Sequence, residues 1–473
     1  MKRYRSSSYR DRRSSGGGML PKVLAGLILL AGLFLGARGA LRAGAEPEIA
    51  IEPAKKAIGP RTAVHVTASE PARGLSQLKV ELVQSGRAET LYEKTYTPSS
   101  AWWFGGPVTA SDDVKFEVGR EIQKSLKQEP ATIRVTAARA PSWLRHPDPV
   151  VKEVTLPVRF VPPPLAVLST FTYVNQGGCE AVVYRVGETS TLDGVRAGTW
   201  FFPGFPLPGG GKEDRFALFA VPYDLSDVSQ VKLVAEDEVG NRSQVSFVDK
   251  FFPRPLHKDT IKLDDTYLAK VVPAILSQAP ELTDKGTPLD NYLQINRDLR
   301  RTDNAKLVEM AKDSKPQFLW TRPFQPMGST AVMASFADRR SYVYGGRTVD
   351  QQDHLGLDLA GTSHAPVPAS NDGVVVLARF FGIYGNAVVV DHGYGLMSLY
   401  GHLSSIEVKE GSNVTRGQEL GRSGDTGLAG GDHLHFAILL HGLPVSPVEW
   451  WDGHWIQDRI ARKLGPALHY AAK

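Results

Sequence analysis

GGDHLHFAILL, residues 430–440, decides how the C-terminal third of this chain is read. It sets His433 and His435 one residue apart in an apolar run, after a Gly pair and before Gly442 and Pro444. A short apolar run bounded by Gly and Pro reads as a strand, not a helix. Side chains alternate along a strand, so His433 and His435 share one face and Leu434 and Phe436 the other. Two unpartnered imidazoles are costly to bury. Either their face is open to solvent, or the rings meet a partner such as a metal ion.

The segment upstream supplies further groups. DHLGLDLAG, residues 353–361, spaces His354 and Asp358 four apart. A helix would put both on one face, but Gly356, Gly361 and the lack of a helical stripe argue for a strand running into a loop. SLYGHLSSI, residues 398–406, places His402 just after a strand folded on a turn at Gly393–Gly395. One Asp and four His thus fall in one Gly-rich β segment, residues 318–452. A zinc hydrolase needs three protein ligands and an open fourth position, with groups that move protons and steady an oxyanion. Spacing alone does not assign those roles.

HLGLD, APVPASNDGVVV, YGNAVVVDHGYGL, SLYGHLS, VKEGSNVTRGQELGRSGDTG and GGDHLHFAI follow one another over residues 354–438. In content and order this resembles the LytM/lysostaphin-type metallopeptidases, the M23 family. The resemblance implies a β-sheet peptidase domain binding one Zn2+. It implies His354, Asp358 and His435 as zinc ligands and His402 and His433 as the catalytic pair, with the base role falling more often to His433. All five residues are present. A zinc bound by two neutral imidazoles and one carboxylate keeps a net positive charge, which acidifies water and polarises a carbonyl.

The rest of the chain bounds the setting. Of 473 residues, the first 22 carry seven basic side chains against Asp11 alone, so the formal net charge of +5 is local and the body is close to −1. That excludes a phosphate-tracking surface, and with it nucleic acid as a partner. A lone cysteine, Cys179, excludes a disulfide framework and reads as a small core residue. Val23–Ala37 is an uncharged apolar run between Lys22 and Arg38. It reads as an export signal, and Arg38 and Arg42 favour an uncleaved anchor over cleavage at Ala43-Gly44-Ala45. The expected plan is a cytoplasmic basic tail (1–22), a transmembrane signal anchor (23–41), a β-rich domain (46–161) and an immunoglobulin-like β-sandwich (165–253). A helical connector (257–317), the peptidase domain (318–452) and a tail (453–473) follow. The fold class is mainly β. The hairpin expected at 231–248 turns on Asp237–Asn241, and Thr287-Pro288 opens a connector helix with Pro at its first position.

The leading function is a zinc endopeptidase that hydrolyses peptide cross-links of bacterial peptidoglycan, with D-alanyl–diaminopimelate as the expected bond. Its expected place is the inner membrane, single-pass, with the catalytic domain in the periplasm. Its partners are peptidoglycan peptide stems, the membrane through the N-terminal helix, and an envelope protein met by the upstream β-domains. The alternative is a non-catalytic LytM-like regulator that binds or activates another wall hydrolase; five intact site residues argue against it. A cupin-type oxygenase, which also uses His-x-His, places that pair before its third His, the reverse of the order here. Among other residues, Tyr342, Tyr344 and Arg347 are candidates to line the cleft. His392 is expected in a turn or the core, His364, His441, His454 and His469 at the surface, and Trp450 and Trp451 at the domain edge. The upstream blocks are also expected to cover and restrain the cleft.

Overall fold

In a computed structural model, which describes residues 19–97, 108–255 and 257–471, the run Leu434–Leu440 is a strand buried along its whole length. It lies inside an eight-stranded antiparallel sheet. Ala331–Ala334, Leu357–Ala360, Leu434–Leu440, Leu396–Leu403, Asn386–Gly393, Gly373–Phe380 and Asn413–Val414 follow in spatial order, and Leu443–Val445 also pairs with Leu434–Leu440. Both faces of this sheet are covered, which is why its central strands read as unbroken apolar runs and not as alternation. Leu434, Phe436, Ile438 and Leu440 share one core with the sandwich residues Phe202, Phe216 and Phe219. Ala437 and Leu439 point the other way, into a core formed with Leu268, Ile295 and Leu307 of the helical connector.

That connector is part of the same body. Its strand Lys258–Leu263 pairs in parallel with Asp338–Tyr344. Thr287 caps the helix Pro288–Gln294 on Asp290 N–H, with Pro288 in the first turn. The chain then continues through a π-type turn, Ile295–Leu299, into Arg300–Ala311. Such turns insert one residue per turn and re-aim the side chains that follow. The stripe read from the sequence is inward-facing: Tyr292, Leu307 and Ala311 are buried, and Leu289, Leu293 and Met310 pack against the same core.

The sandwich has two four-stranded sheets. Val231–Asp237 pairs with Arg242–Val245 across the turn, as the alternation on either side of it predicts. Phe216 and Tyr394 meet edge to face, ring centroids 4.9 Å apart, and Trp320 and Trp450 do so at 5.9 Å. Trp450 is fully buried, so the expectation of a domain-edge position is corrected: it is central to the layer between sandwich and sheet. His441 is corrected likewise. It stacks on Phe205, and burial pushes its pKa down to about 4. His364, His454 and His469 are exposed, and His392 is buried. Residues 453–473 were expected only as a tail; the stretch Gly453–Ile456 is helical, and Ile456, Ile460 and Leu464 join the sandwich-side core.

A separate compact unit comprises residues 19–161 with 238–241. It contains a three-stranded sheet (Glu48–Pro53, Thr62–Ser69, Ser111–Val118) facing a four-stranded one (Arg87–Thr95, Leu75–Gln84, Ala131–Arg139, Val150–Leu156). In Ala131–Arg139 every second residue is buried, among them Ile133, Val135 and Ala137. The helix Met19–Leu41 is 23 residues long, roughly 35 Å at 1.5 Å per residue. Among the described residues it is the one helix long and apolar enough to cross a membrane. It starts before the expected anchor. Residues 1–18 of the basic tail lie outside the described residues.

Candidate metal centre

Strand register assembles the site. Asp358 pairs directly with His435, and directly opposed residues project from the same face. On its other side His435 pairs with Gly401, so His402 stands one residue along. His354 ends the strand Arg347–His354, and Leu355-Gly356 turns the chain into Leu357–Ala360. The i, i+4 spacing of His354 and Asp358 is therefore spanned by a strand–loop–strand passage. His433 lies just before its strand, bridged to Gly424.

His354 Nε2, Asp358 Oδ1 and His435 Nδ1 converge, at 2.9 Å (His354–Asp358), 3.1 Å (His354–His435) and 3.0 Å (His435–Asp358). All three residues are buried. His354 Nδ1–H donates to the Ser335 carbonyl at 3.0 Å, which leaves Nε2 as a lone pair turned to the carboxylate. Three converging acceptors repel one another unless a proton or a cation lies among them. This donor set, two imidazoles and one carboxylate oxygen within 4.8 Å of one another, suits a borderline-soft divalent ion with one coordination position left over. His354 is held as metal-binding histidines are, by a carbonyl on its far nitrogen.

His402 and His433 flank this triangle, ring centroids 4.8 Å apart. Each donates Nδ1–H to a backbone carbonyl: His402 to Thr426 at 2.7 Å, His433 to Gly431 at 2.8 Å. Both therefore turn Nε2 toward the site, and His433 Nε2 lies 3.5 Å from Asp358 Oδ1. His402 adopts a left-handed backbone, φ +64°, an uncommon conformation for a residue with a side chain. Burial, then the neighbouring rings of His433 and His435, hold the His402 pKa well below the usual imidazole range. Burial also lowers that of His435, to about 4. Burial opposes the charge of Asp358, but hydrogen bonds with His354, His433 and His435 outweigh it and keep the carboxylate far below its ordinary range. Asp432, next to His433, is fixed by Ser423 Oγ (2.6 Å), His364 N–H (2.9 Å) and Ser363 Oγ (3.0 Å).

All five residues singled out in the sequence meet here. A sixth, Arg340, was not foreseen. Its Nη2 donates to Asp358 Oδ2 at 2.8 Å. No motif marks it; it comes from the strand Asp338–Tyr344, whose pairing sets Arg340 opposite Gln352. The site opens into a cleft of about 640 Å3. Tyr342 lines it, and Tyr344 and Arg347 do not. Tyr267, Tyr292, Asn296 and Arg300 of the connector form part of its wall. Tyr384 is a further lining residue, its ring 5.5 Å from that of His435.

An antiparallel sheet bearing a buried His-Asp-His donor set beside two free-edged imidazoles has the construction of a metallohydrolase. Residues 352–447 match the model of Peptidase family M23, and the C-terminal part of the chain is a domain of that family. Over 96 residues it is 46% identical to the peptidoglycan DD-endopeptidase ShyA of Vibrio cholerae, covering 20% of this chain and 22% of that one. Over 95 residues it is 44% identical to the DD-carboxypeptidase/endopeptidase Mpg of Neisseria meningitidis, again 20% and 22%. The match thus spans about a fifth of the length of these relatives. Among solved structures, the catalytic domain of the antimicrobial peptidase lysostaphin from Staphylococcus simulans is 24% identical, with a TM-score of 0.20, over 30% of this chain and 96% of that one.

Proposed function

We propose that the protein is a zinc-dependent endopeptidase that hydrolyses peptide cross-links of peptidoglycan. The observation that carries this is the triangle of His354 Nε2, Asp358 Oδ1 and His435 Nδ1, with two more imidazoles turned to the same point. Those three residues would hold the ion. Zinc there supplies Lewis-acid chemistry, acidifying water and polarising a scissile carbonyl.

The chain's own groups do the rest. His433, oriented by Gly431 O, accepts the proton of the attacking water at Nε2 and returns it to the leaving amine. His402, fixed on Thr426 O through Nδ1–H, turns Nε2 to the developing oxyanion and would donate there only as the doubly protonated ring, its second proton coming from the water being activated. Arg340, donating to Asp358 Oδ2, fixes the carboxylate plane and aims Oδ1 inward. The relatives named for peptidoglycan endopeptidase activity support the polymer as substrate. The D-alanyl–diaminopimelate bond and a periplasmic setting are part of this proposal; the relatives' names support DD-endopeptidase chemistry, and the N-terminal apolar helix is compatible with a membrane anchor.

The test is to incubate the zinc-loaded full chain with cross-linked peptidoglycan and identify products by mass spectrometry. Loss of cross-linked dimers, abolished in His435→Ala, is expected. A folded, zinc-loaded protein that leaves every cross-link whole overturns the reading and favours a non-catalytic regulator.

A further inference from the structure

The part of the cleft wall contributed by the connector carries a guanidinium that no carboxylate pairs directly. Arg300 lines the cleft and belongs to the connector, outside the matched residues 352–447. It follows directly on the π-type turn Ile295–Leu299. Its Nε donates to Asn296 O at 3.1 Å and its Nη2 to Asn296 Oδ1 at 2.6 Å. Among the described residues it makes no ion pair. Asn296 is itself held by Asp350 Oδ2 at 2.8 Å, so the guanidinium is oriented by neutral acceptors; the buried Asp303 carboxylate feels its charge but is bonded to Ile383 N–H at 2.9 Å. The other charged groups of the wall differ. Arg340 is taken by Asp358. Asp264 caps the helix Asp265–Leu276 on Tyr267 N–H. Asp259 and Lys262 are exposed. Arg300 is half-buried, and its charge acts on Tyr384, the ring that contacts His435.

A half-buried, pre-oriented guanidinium without a direct ion-pair partner suits a planar anion, and a carboxylate fits its fork. We propose that Arg300 is a specificity residue that ion-pairs a free carboxylate of the peptide being cut, next to the scissile bond. This rests on the peptidoglycan reading above. The chemistry of that substrate agrees: in a D-alanyl–diaminopimelate link, the carbon bearing the scissile amide nitrogen also bears a carboxylate. The connector thereby selects which stem enters, while the family segment performs the hydrolysis.

The experiment uses the zinc-loaded full chain and two synthetic cross-linked peptide dimers. They differ in whether the carboxylate beside the link is free or amidated. Wild type is expected to favour the free acid by about tenfold or more in kcat/KM, the scale of a charge-assisted pair. Arg300→Gln is expected to lose that preference, its kcat/KM falling more on the acid dimer than on the amidated one, and Arg300→Lys to keep part of it. The ratio is internal to each preparation, so partial misfolding does not move it. Equal cleavage of both dimers by wild type, or an undiminished preference in Arg300→Gln, overturns the proposal and leaves the peptidase reading standing. If wild type cuts neither dimer, both fall.

Discussion

Arg340 and Asp358 form a buried ion pair that uses only one carboxylate oxygen. Arg340 Nη2 holds Oδ2 at 2.8 Å, and Oδ1 is left to His354, His433 and His435. One partner fixes the plane of the carboxylate, and the other side remains a ligand. Outer partners of this kind tune metal affinity without touching the metal. Arg340→Gln is expected to weaken zinc binding by roughly 10- to 100-fold. Competition with a chromogenic chelator measures this; an unchanged affinity would show that Arg340 serves packing alone.

On the proposed reading the five-residue cluster divides into two functional sets. His435→Ala and His354→Ala are expected to lose stoichiometric zinc. His402→Ala and His433→Ala are expected to retain it and lose about 10²- to 10⁴-fold in kcat, the span of a general acid or base. Metal analysis alongside steady-state rates separates the sets. Zinc loss in His433→Ala would move that residue into the ligand set.

The peptidase segment does not own its core. Leu434, Phe436 and Ile438 pack with sandwich residues, and Ala437 and Leu439 with the connector. A fragment beginning at Pro316 exposes both layers at once, and each large apolar side chain so exposed costs roughly 1.5–3 kcal/mol. With domains stable by only about 5–15 kcal/mol, the fragment 316–473 is expected to aggregate or lack a cooperative melt. The fragment 162–473, which keeps the whole unit, is expected to show one. Circular dichroism melts of the two decide the matter, and a sharp transition in the shorter fragment would refute the shared core.

Glu449 gives the stability a pH dependence. It is buried, accepts from Asn175 Nδ2 at 2.7 Å and Cys179 N–H at 2.8 Å, and burial raises its pKa from 4.5 to about 7. A carboxyl raised in the folded state stabilises below its unfolded pKa, and that contribution is lost as pH climbs through about 7. Glu180, raised by burial to about 7 even beside Lys463, works in the same direction. Wild-type Tm is therefore expected to fall between pH 5 and pH 8, and Glu449→Gln to reduce the fall, gaining roughly 1–3 kcal/mol over wild type at pH 8. Parallel Tm curves for the two proteins would dismiss this account.

The five site residues were legible because they stand in motifs, and the hairpin turn at Asp237–Asn241 and the Thr287–Pro288 helix start because their chemistry is local. Arg340 and Arg300 were not, since nothing in DRRSY or NRDLRR distinguishes them from solvated charge. His441, expected at the surface, and Trp450, expected at the domain edge, were misplaced for a related reason: neither shows in sequence that a second domain packs over it.

By itself the sequence determined that His435 lies on a strand with His433 at its entry, because alternation is a property of the backbone. It also determined that His354, Asp358 and His402 accompany them, through their motifs. Only the tertiary structure decided what covers each face of that strand, and hence that the histidine side looks into a cleft walled by the connector. It decided too that Asp358 is shared between Arg340 and three imidazoles, with Arg300 lining the same cleft. Those relations depend on pairing register and on packing between segments far apart in the chain, which no local pattern encodes.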